Sequence, residues 1–458
     1  MRLLKFVFSR FFICITVIAA LVAAIIFLCF YIHSLLPVAA AVALCYLLSL
    51  IASLALLVGD SPAEFKCVWL IVIVALPVAG AVLYALSRLS RSQKSPCIPS
   101  PPPSSCSSYE YFADGAVLLD RIVSLISTAK RQVFLEFYII SKGHIWGAVH
   151  RELKLALARG VEVRIIYDSL GSALRAPKKD FKELVRAGAK IKAFNRILPL
   201  PVSRINFRDH RKIAVIDGDA VLLGGVNIAD EYANLTSPHG YWKDGGALFF
   251  GNIAEVYSRI FLAAFNGGSP DWGAHMPQIT EKHTLYPVAD EPERAGGYCE
   301  DILAAALYSA KERVYIFTPY LCAGDKLHGA LTFAARRGAD VKIIIPAIPD
   351  KKLTYAITRS YCERLACEGV KVYMYTPGFM HFKAAVCDNS VLLGSYNLDF
   401  RSMRLNYECG VMADSDLADE VARDFTSCLA LSRPFEVKKR RAAGRISLSL
   451  LRLIAPLV

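Results

Sequence analysis

His210-Arg211-Lys212-Ile213-Ala214-Val215-Ile216-Asp217, followed by Gly224-Gly225-Val226-Asn227, is echoed by His381-Phe382-Lys383-Ala384-Ala385-Val386-Cys387-Asp388, followed by Gly394-Ser395-Tyr396-Asn397. Both stretches read H-x-K-x-x-x-x-D, then an apolar run, then a small-residue turn that ends in Asn. A strand turns successive side chains to opposite faces, so His and Lys, two apart, share a face. A lone histidine is usually structural, and that reading is given to His144, His150, His239, His275, His283 and His328. His210 and His381 differ, because each arrives with the same escort at the same spacing.

Outward from these stretches the pattern is helix, strand, helix, strand. Leu118, Ile122 and Ile126 lie four apart and predict an amphipathic helix. Strands are expected at 133–138, 161–167 and 190–194, with helices at 146–159 and 180–186 that close at Gly160 and Gly188. The same order recurs as strands at 314–317, 341–345 and 370–374, before His381 arrives. Alternating helices and strands argue α/β layering. One long internal repeat argues two similar domains rather than a solenoid. The expected division is 109–272 and 273–435, with a boundary in the Gly/Pro-rich stretch 267–277.

Before the first domain the composition changes. The chain has 458 residues, 55% of them hydrophobic, and its hydropathy is concentrated near the N-terminus. Runs at 11–31, 35–58 and 67–86 are each roughly the twenty residues a helix needs to cross hydrocarbon. The first run is too long for a signal-peptide core, lacks a small-x-small cleavage site and is followed by two more. Residues 1–87 are therefore expected to form a multi-pass segment in the cell membrane. Basic residues flank it at Arg2, Lys5 and Arg10 and again at Arg88, Arg91 and Lys94. The positive-inside rule wants both basic ends on one side, which three spans cannot provide, so one segment re-entrant or interfacial is an open alternative. A Pro/Ser linker follows at 88–108, extended and without apolar period. At the other end, 436–458 pairs the basic cluster Lys438-Lys439-Arg440-Arg441 with a short amphipathic tail, suited to an anionic membrane surface or to docking as a C-terminal helix.

The formal charge of +13 suits a partner with anionic groups, whether nucleic acid or lipid headgroups. Thirteen scattered cysteines with no C-x-x-C pair indicate neither a disulfide framework nor a zinc site. Two imidazoles, two lysines and two asparagines on one cleft would make a pocket for a phosphodiester. Lysines offer point charges to the non-bridging oxygens, and the amides of Asn227 and Asn397 are expected to donate to the same atoms. One histidine would attack phosphorus while the other protonates the leaving oxygen, and the acid would become the base in the second half. Because the lysines supply positive charge, neither a metal nor a cofactor is expected. A histidine nucleophile also needs a carboxylate on its other ring nitrogen. Asp244, in Tyr241-Trp242-Lys243-Asp244, and Glu408, in Asn406-Tyr407-Glu408, are the candidates. Asp217 and Asp388 sit at a strand end, better placed to hold turns than to move protons.

The duplicated motif resembles the phospholipase D superfamily, and within it the bacterial cardiolipin synthases. The matching features include Phe134-Leu135-Glu136-Phe137-Tyr138, Tyr167-Asp168-Ser169-Leu170-Gly171-Ser172, Thr318-Pro319-Tyr320, Tyr375-Thr376-Pro377-Gly378-Phe379 and Leu451-Arg452-Leu453-Ile454-Ala455-Pro456-Leu457. The resemblance implies an α/β fold in which two similar phospholipase D-like sandwich domains share one active-site cleft, behind a helical transmembrane segment. It implies a catalytic set of His210, Lys212, Asp217, His381, Lys383 and Asp388, with His210 as nucleophile and His381 as acid, although the two could be exchanged. It also implies reversible phosphatidyl transfer between two phosphatidylglycerol molecules, giving cardiolipin and glycerol. A membrane-bound hydrolytic phospholipase D is the alternative. A nucleic acid partner is disfavoured by the membrane runs, and an inactive binding protein by the intact motifs. One departure stands out: Asp388 and Gly394 are one residue closer than Asp217 and Gly224, which puts the position of Asn397 in question.

Overall fold

The computed structural model describes residues 21–27, 35–59, 63–89, 100–195, 206–268, 270, 272, 281–292, 297–414, 416–437, 448–453 and 455–457. The chain divides into an N-terminal unit and a larger α/β unit.

In the N-terminal unit, α1 (Leu35–Val58) carries an uninterrupted apolar stretch at Val38–Val58 of mean hydropathy 2.6. Its 21 residues rise about 31 Å, enough to cross a bilayer. Most of the expected first span lies outside the described residues. The expected third span does not form as one helix. It breaks at Leu76 into α2 (Ala63–Ala75) and α3 (Pro77–Leu89), because Pro77 lacks the N–H that would continue the ladder. The two arms then fold back on each other. Trp69 packs against Tyr84 with ring centroids 5.6 Å apart. A Cβ on Gly80 would come within 2.5 Å of the Val72 carbonyl oxygen, so only glycine permits this approach. The hairpin tip rests on the middle of α1, where Ser49 Oγ donates to Pro77 O at 2.7 Å. Each arm of 13 residues rises about 20 Å, too short to span alone, and α3 ends at the level where α2 began.

In the α/β unit, the seven-stranded sheet of the first repeat has the order β2-β10-β8-β7-β3-β4-β5. Its strands are β2 (Ser108–Phe112), β3 (Gln132–Phe137), β4 (Glu162–Asp168), β5 (Lys190–Phe194), β7 (Lys212–Ile216), β8 (Ala220–Gly224) and β10 (Gly246–Phe250). The second repeat builds the equivalent sheet from β11 (His283–Asp290), β12 (Arg313–Phe317), β13 (Asp340–Pro346), β14 (Lys371–Tyr375), β16 (Ala384–Cys387), β17 (Ser390–Gly394) and β18 (Asn406–Asp414). Strands β3-β4-β5 and β12-β13-β14 are parallel and joined by helices, as the alternating pattern predicts. Helices α4 (Gly115–Thr128), α5 (His144–Ala158) and α6 (Lys178–Arg186) cover one face of the first sheet. Helices α8 (Tyr298–Ser309), α9 (Asp325–Arg336) and α10 (Lys352–Cys367) cover the second. Between the sheets α7 (Ile253–Asn266) and α11 (Asp416–Ala430) share one core with both repeats. There Phe134 stacks on Phe261 at 4.8 Å and Tyr315 stacks on Phe425 at 4.7 Å, each pair 9° from parallel, so the duplication extends to packing.

The linker reading holds only in part. Ser104–Cys106 forms a strand, β1, paired with β11 of the second repeat and with Cys106 fully buried. At the other end Leu451 packs on the core of the second repeat, and Ala455 is buried. The C-terminal segment thus docks on the fold; Lys438 to Arg441 lie outside the described residues.

Two further pairings cross between repeats. The short strand β6 (Arg208–Asp209) runs parallel to the start of β18, and β9 (Tyr241–Lys243) runs parallel to β15 (Gly378–Met380). Each places the residues before one motif histidine beside the residues before a carboxylate of the other repeat.

The hairpin is tested by topology mapping. Cysteines introduced at Ala63 and Ser87, in a background freed of reactive native thiols, should both label from the same side of sealed vesicles. Labelling from opposite sides would restore a straight third span.

Candidate active site

His210 follows β6 directly, and its N–H donates to Tyr407 O at 2.9 Å. His381 follows β15, and its N–H donates to Lys243 O at 2.8 Å. These backbone bonds hold the two imidazoles on one cleft of about 750 Å³, which Asn227, Asn397 and Asn406 also line.

The carboxylates are exchanged between repeats. Nδ1 of His210 lies 2.9 and 3.0 Å from the two oxygens of Glu408, and Nδ1 of His381 lies 2.6 Å from Asp244. Each pairing places the N–H on Nδ1 and leaves Nε2 as the free nitrogen. Both carboxylates are fully buried. The turns after β8 and β17 admit them in different ways. A Cβ on Gly225 would sit 2.1 Å from Asp244 Oδ1, so glycine leaves room for that carboxylate. The equivalent Ser395 instead donates its hydroxyl to Glu408.

Lys212 and Lys383 each donate to the carbonyl of their own motif histidine and are almost fully buried. Burial depresses all four cationic groups. His210 falls to about 4, with Glu408 only partly opposing, and His381 to about 3, with Lys383 adding to the effect. Lys212 falls to about 8 and Lys383 to about 7. For Asp244 and Glu408 burial raises the carboxyl pKa, but the facing histidine and lysine outweigh it and both end below the ordinary value. The ligand-free cleft therefore holds neutral imidazoles between charged carboxylates. An anionic group entering it would favour protons on the lysines and on one histidine.

Asp217 and Asp388 are not among the cleft-lining residues. Asp217 accepts the N–H groups of Lys130, Arg131 and Gln132, and Asp388 those of Lys311, Glu312 and Arg313. Both hold the chain entering the central strand of their repeat, at backbone φ of +55° and +52°. The missing residue in the second motif is absorbed here. The β7–β8 hairpin closes between Ile216 and Ala220, the β16–β17 hairpin between Cys387 and Ser390, and Asn397 still lines the cleft.

The two asparagines do not behave as expected of phosphate donors. Asn227 accepts from Ile139 N at 3.0 Å and donates to Tyr232 Oη at 2.7 Å, so its amide holds the loop. Asn397 donates to the Asp399 carboxyl.

Several cleft residues had no role in the sequence reading. Tyr232, Trp242 and Phe379 surround His381, with ring centroids 5.2, 5.1 and 5.9 Å away, and Tyr138 packs edge-on to His210 at 5.2 Å. The buried Trp242 N–H has no acceptor among the described residues and suits a phosphoryl oxygen. His239, read as structural, lines the same cleft. Arg208, 2% exposed, pairs with the buried Asp168 at 3.3 Å, which also accepts from Asp209 N and fixes the approach to His210. Tyr138 and Phe379 fall inside segments noted for their family resemblance, and Trp242 inside the stretch quoted for Asp244; only the fold turns them to one place.

Two α/β repeats that pool their H-x-K motifs in one cleft define a phospholipase D-like protein. Residues 122–237 and 303–429 match the family model described as cardiolipin synthase, PLD-like domain. The major cardiolipin synthase ClsA of Bacillus subtilis is 34% identical over 372 residues, which cover 77% of this chain and 75% of that protein. A cardiolipin synthase of Oceanobacillus iheyensis is 31% identical over 365 residues, 76% of this chain and 75% of its own. The crystal structure of a phosphatidylserine synthase from Haemophilus influenzae superposes with a TM-score of 0.60 at 15% identity, covering 78% of this chain and 97% of that one, a likeness of fold. The chain belongs to the cardiolipin synthase family of phospholipase D-like proteins.

Two measurements check this arrangement. A lysine depressed by burial loses its charge as pH rises through the lowered value, so kcat/KM toward an anionic phosphodiester should fall between about pH 7 and 8. A profile flat to pH 9 would show that both lysines keep their protons. Replacing Asp217 or Asp388 with alanine strands three backbone donors and should lower stability by about 1–3 kcal/mol in thermal unfolding, without moving the pH profile of turnover.

Proposed function

We propose that the protein is a cardiolipin synthase that transfers a phosphatidyl group from one phosphatidylglycerol to another, giving cardiolipin and glycerol. The observation that carries this reading is the crossed pair of histidine–carboxylate contacts on one cleft, in a chain related to cardiolipin synthases over most of its length.

His210 is assigned as nucleophile. Its neutral Nε2 attacks phosphorus, the bond from phosphorus to the glyceryl oxygen breaks, and that oxygen takes a proton from His381. The phosphodiester's negative charge raises His381 from its depressed value and so supplies the acid. The lysines and the Trp242 N–H stabilise the charge that builds on the non-bridging oxygens. In the second half a headgroup hydroxyl of another phosphatidylglycerol gives its proton to His381 and attacks phosphorus, and the P–N bond breaks. Anionic phospholipid in the membrane is thus both donor and acceptor, reached by a chain held there by α1 as part of a multi-pass segment.

Purified protein given phosphatidylglycerol should release glycerol and form a four-chain lipid; phosphatidic acid as the sole lipid product would favour the hydrolytic alternative. His210→Ala and His381→Ala should each lower turnover by at least about 10³-fold. A reaction quenched in detergent at neutral to mildly alkaline pH, which spares the P–N bond, should yield a phosphatidyl adduct on the His210 peptide, and an adduct on the His381 peptide would reverse the roles.

A further inference from the structure

The two repeats share a feature that the transfer chemistry leaves unused. Strands β4 and β13 hold the same place in their sheets, and the loop after each supplies part of the cleft wall: Leu170, Gly171 and Arg175 from the first, Asp350 and Lys351 from the second. Both loops pass into a helix through a proline and a lysine pair, Pro177-Lys178-Lys179 at the start of α6 and Pro349-Asp350-Lys351-Lys352 at the start of α10. Both also leave large aliphatic side chains in solvent. Leu170 and Leu174 are exposed on the first loop, Leu174 by 90%, and Ile348 and Leu353 are exposed at the second. A Cβ on Gly240 would lie 3.3 Å from Ile348 Cδ1, which sets Ile348 beside the cleft-lining His239.

One exposed leucine is ordinary, but four aliphatic side chains about one opening mark a contact surface. The charge around them is positive. Lys142, Lys178, Lys179, Lys351 and Lys352 are exposed and make no ion pair among the described residues, whereas Arg175 is taken by Glu231 and Asp350 accepts the Tyr320 hydroxyl. These lysines do not serve the helices they precede. Lys352 opens α10, whose first turn holds no acidic residue, so it opposes the helix dipole. Size points the same way. A cleft of about 750 Å³ encloses a drug-sized molecule, and the four acyl chains of two phospholipids must stay outside it.

We propose that these two loops form an interfacial rim for an anionic bilayer. Leu170, Leu174, Ile348 and Leu353 enter the boundary between headgroups and acyl chains, and the unpaired lysines meet the phosphates around them. Each repeat supplies half of the rim, as each supplies half of the catalytic pair. The proposal rests on the lipid substrate of the function proposed above, and adds that only headgroups enter the cleft while the chains remain in the membrane.

The test uses the full-length protein in vesicles of equal phosphatidylglycerol and phosphatidylcholine with bromine-bearing acyl chains. A fluorophore on Leu174→Cys or Leu353→Cys, in a background freed of reactive native thiols, should be quenched by the bromines. The same fluorophore on Lys130→Cys, before the opposite end of β3, should not be. The double variant Leu174→Gln, Leu353→Gln should lower kcat/KM for phosphatidylglycerol in a bilayer by about ten-fold, yet keep the wild-type value for a short-chain phosphatidylglycerol dissolved as monomers. No quenching at either loop, or an equal loss on both lipids, would overturn the rim and leave the proposed function standing. Turnover of neither lipid by the wild-type protein would overturn the proposed function, while quenching, which needs no turnover, would still decide the rim.

Discussion

Glu408 and Asp244 are fully buried carboxylates, and each faces the imidazole of the other repeat. A buried charge without a partner is costly, and removing one member of such a pair destabilises a protein by about 3–5 kcal/mol. The crossed pairs therefore bind the repeats to each other as firmly as they orient the imidazoles. Neither repeat alone has both a motif histidine and the carboxylate that serves it. The parallel pairings of β6 with β18 and of β9 with β15 arise from the same exchange, because each brings one histidine's leading strand to the other repeat's carboxylate. Burial of Arg211 adds a third tie. Its guanidinium lies 2.7 Å from Glu136 and 3.1 Å from Asp209, and packs over the ring of Tyr407 from the second repeat.

The same burial sets the electrical state of the cleft. Desolvation lowers the proton affinity of both histidines and both lysines, so the ligand-free site approaches neutrality by losing protons. An anionic phosphodiester reverses this by supplying the counter-charge that water no longer provides. Binding and protonation are then linked, and the acid for the first step is most fully protonated once its substrate is in place. A cleft lined with exposed, permanently charged lysines would bind any anion; this one charges fully in response to the anion it encloses.

Much of the fold was legible because its signals are local. Apolar periodicity placed the helices and strands within one or two residues, and the recurrence of the order showed two repeats. The paired motifs likewise named the histidines and lysines, and Asp244 and Glu408 were picked from the stretches Tyr241–Asp244 and Asn406–Glu408 that follow the two motif asparagines. Which carboxylate serves which histidine was not legible, since Glu408 and His210 are 198 residues apart and meet only through the β6–β18 pairing. The third apolar run misled for a related reason. Hydropathy counts residues and is blind to a break at Pro77 and to the close approach that Gly80 allows. The asparagines were misread in their chemistry. An amide can donate or accept, and only Ile139, Tyr232 and Asp399 decide which end is left over.

The hairpin at 63–89 also bears on the charge rule that three straight spans could not meet. Because α3 ends where α2 began, this part of the chain adds no crossing of its own. A hairpin of this depth is tolerable in hydrocarbon because its turn is not left bare. Pro77 has no N–H to satisfy, its carbonyl accepts from Ser49, and Gly80 N–H donates to Leu76 O at 2.6 Å.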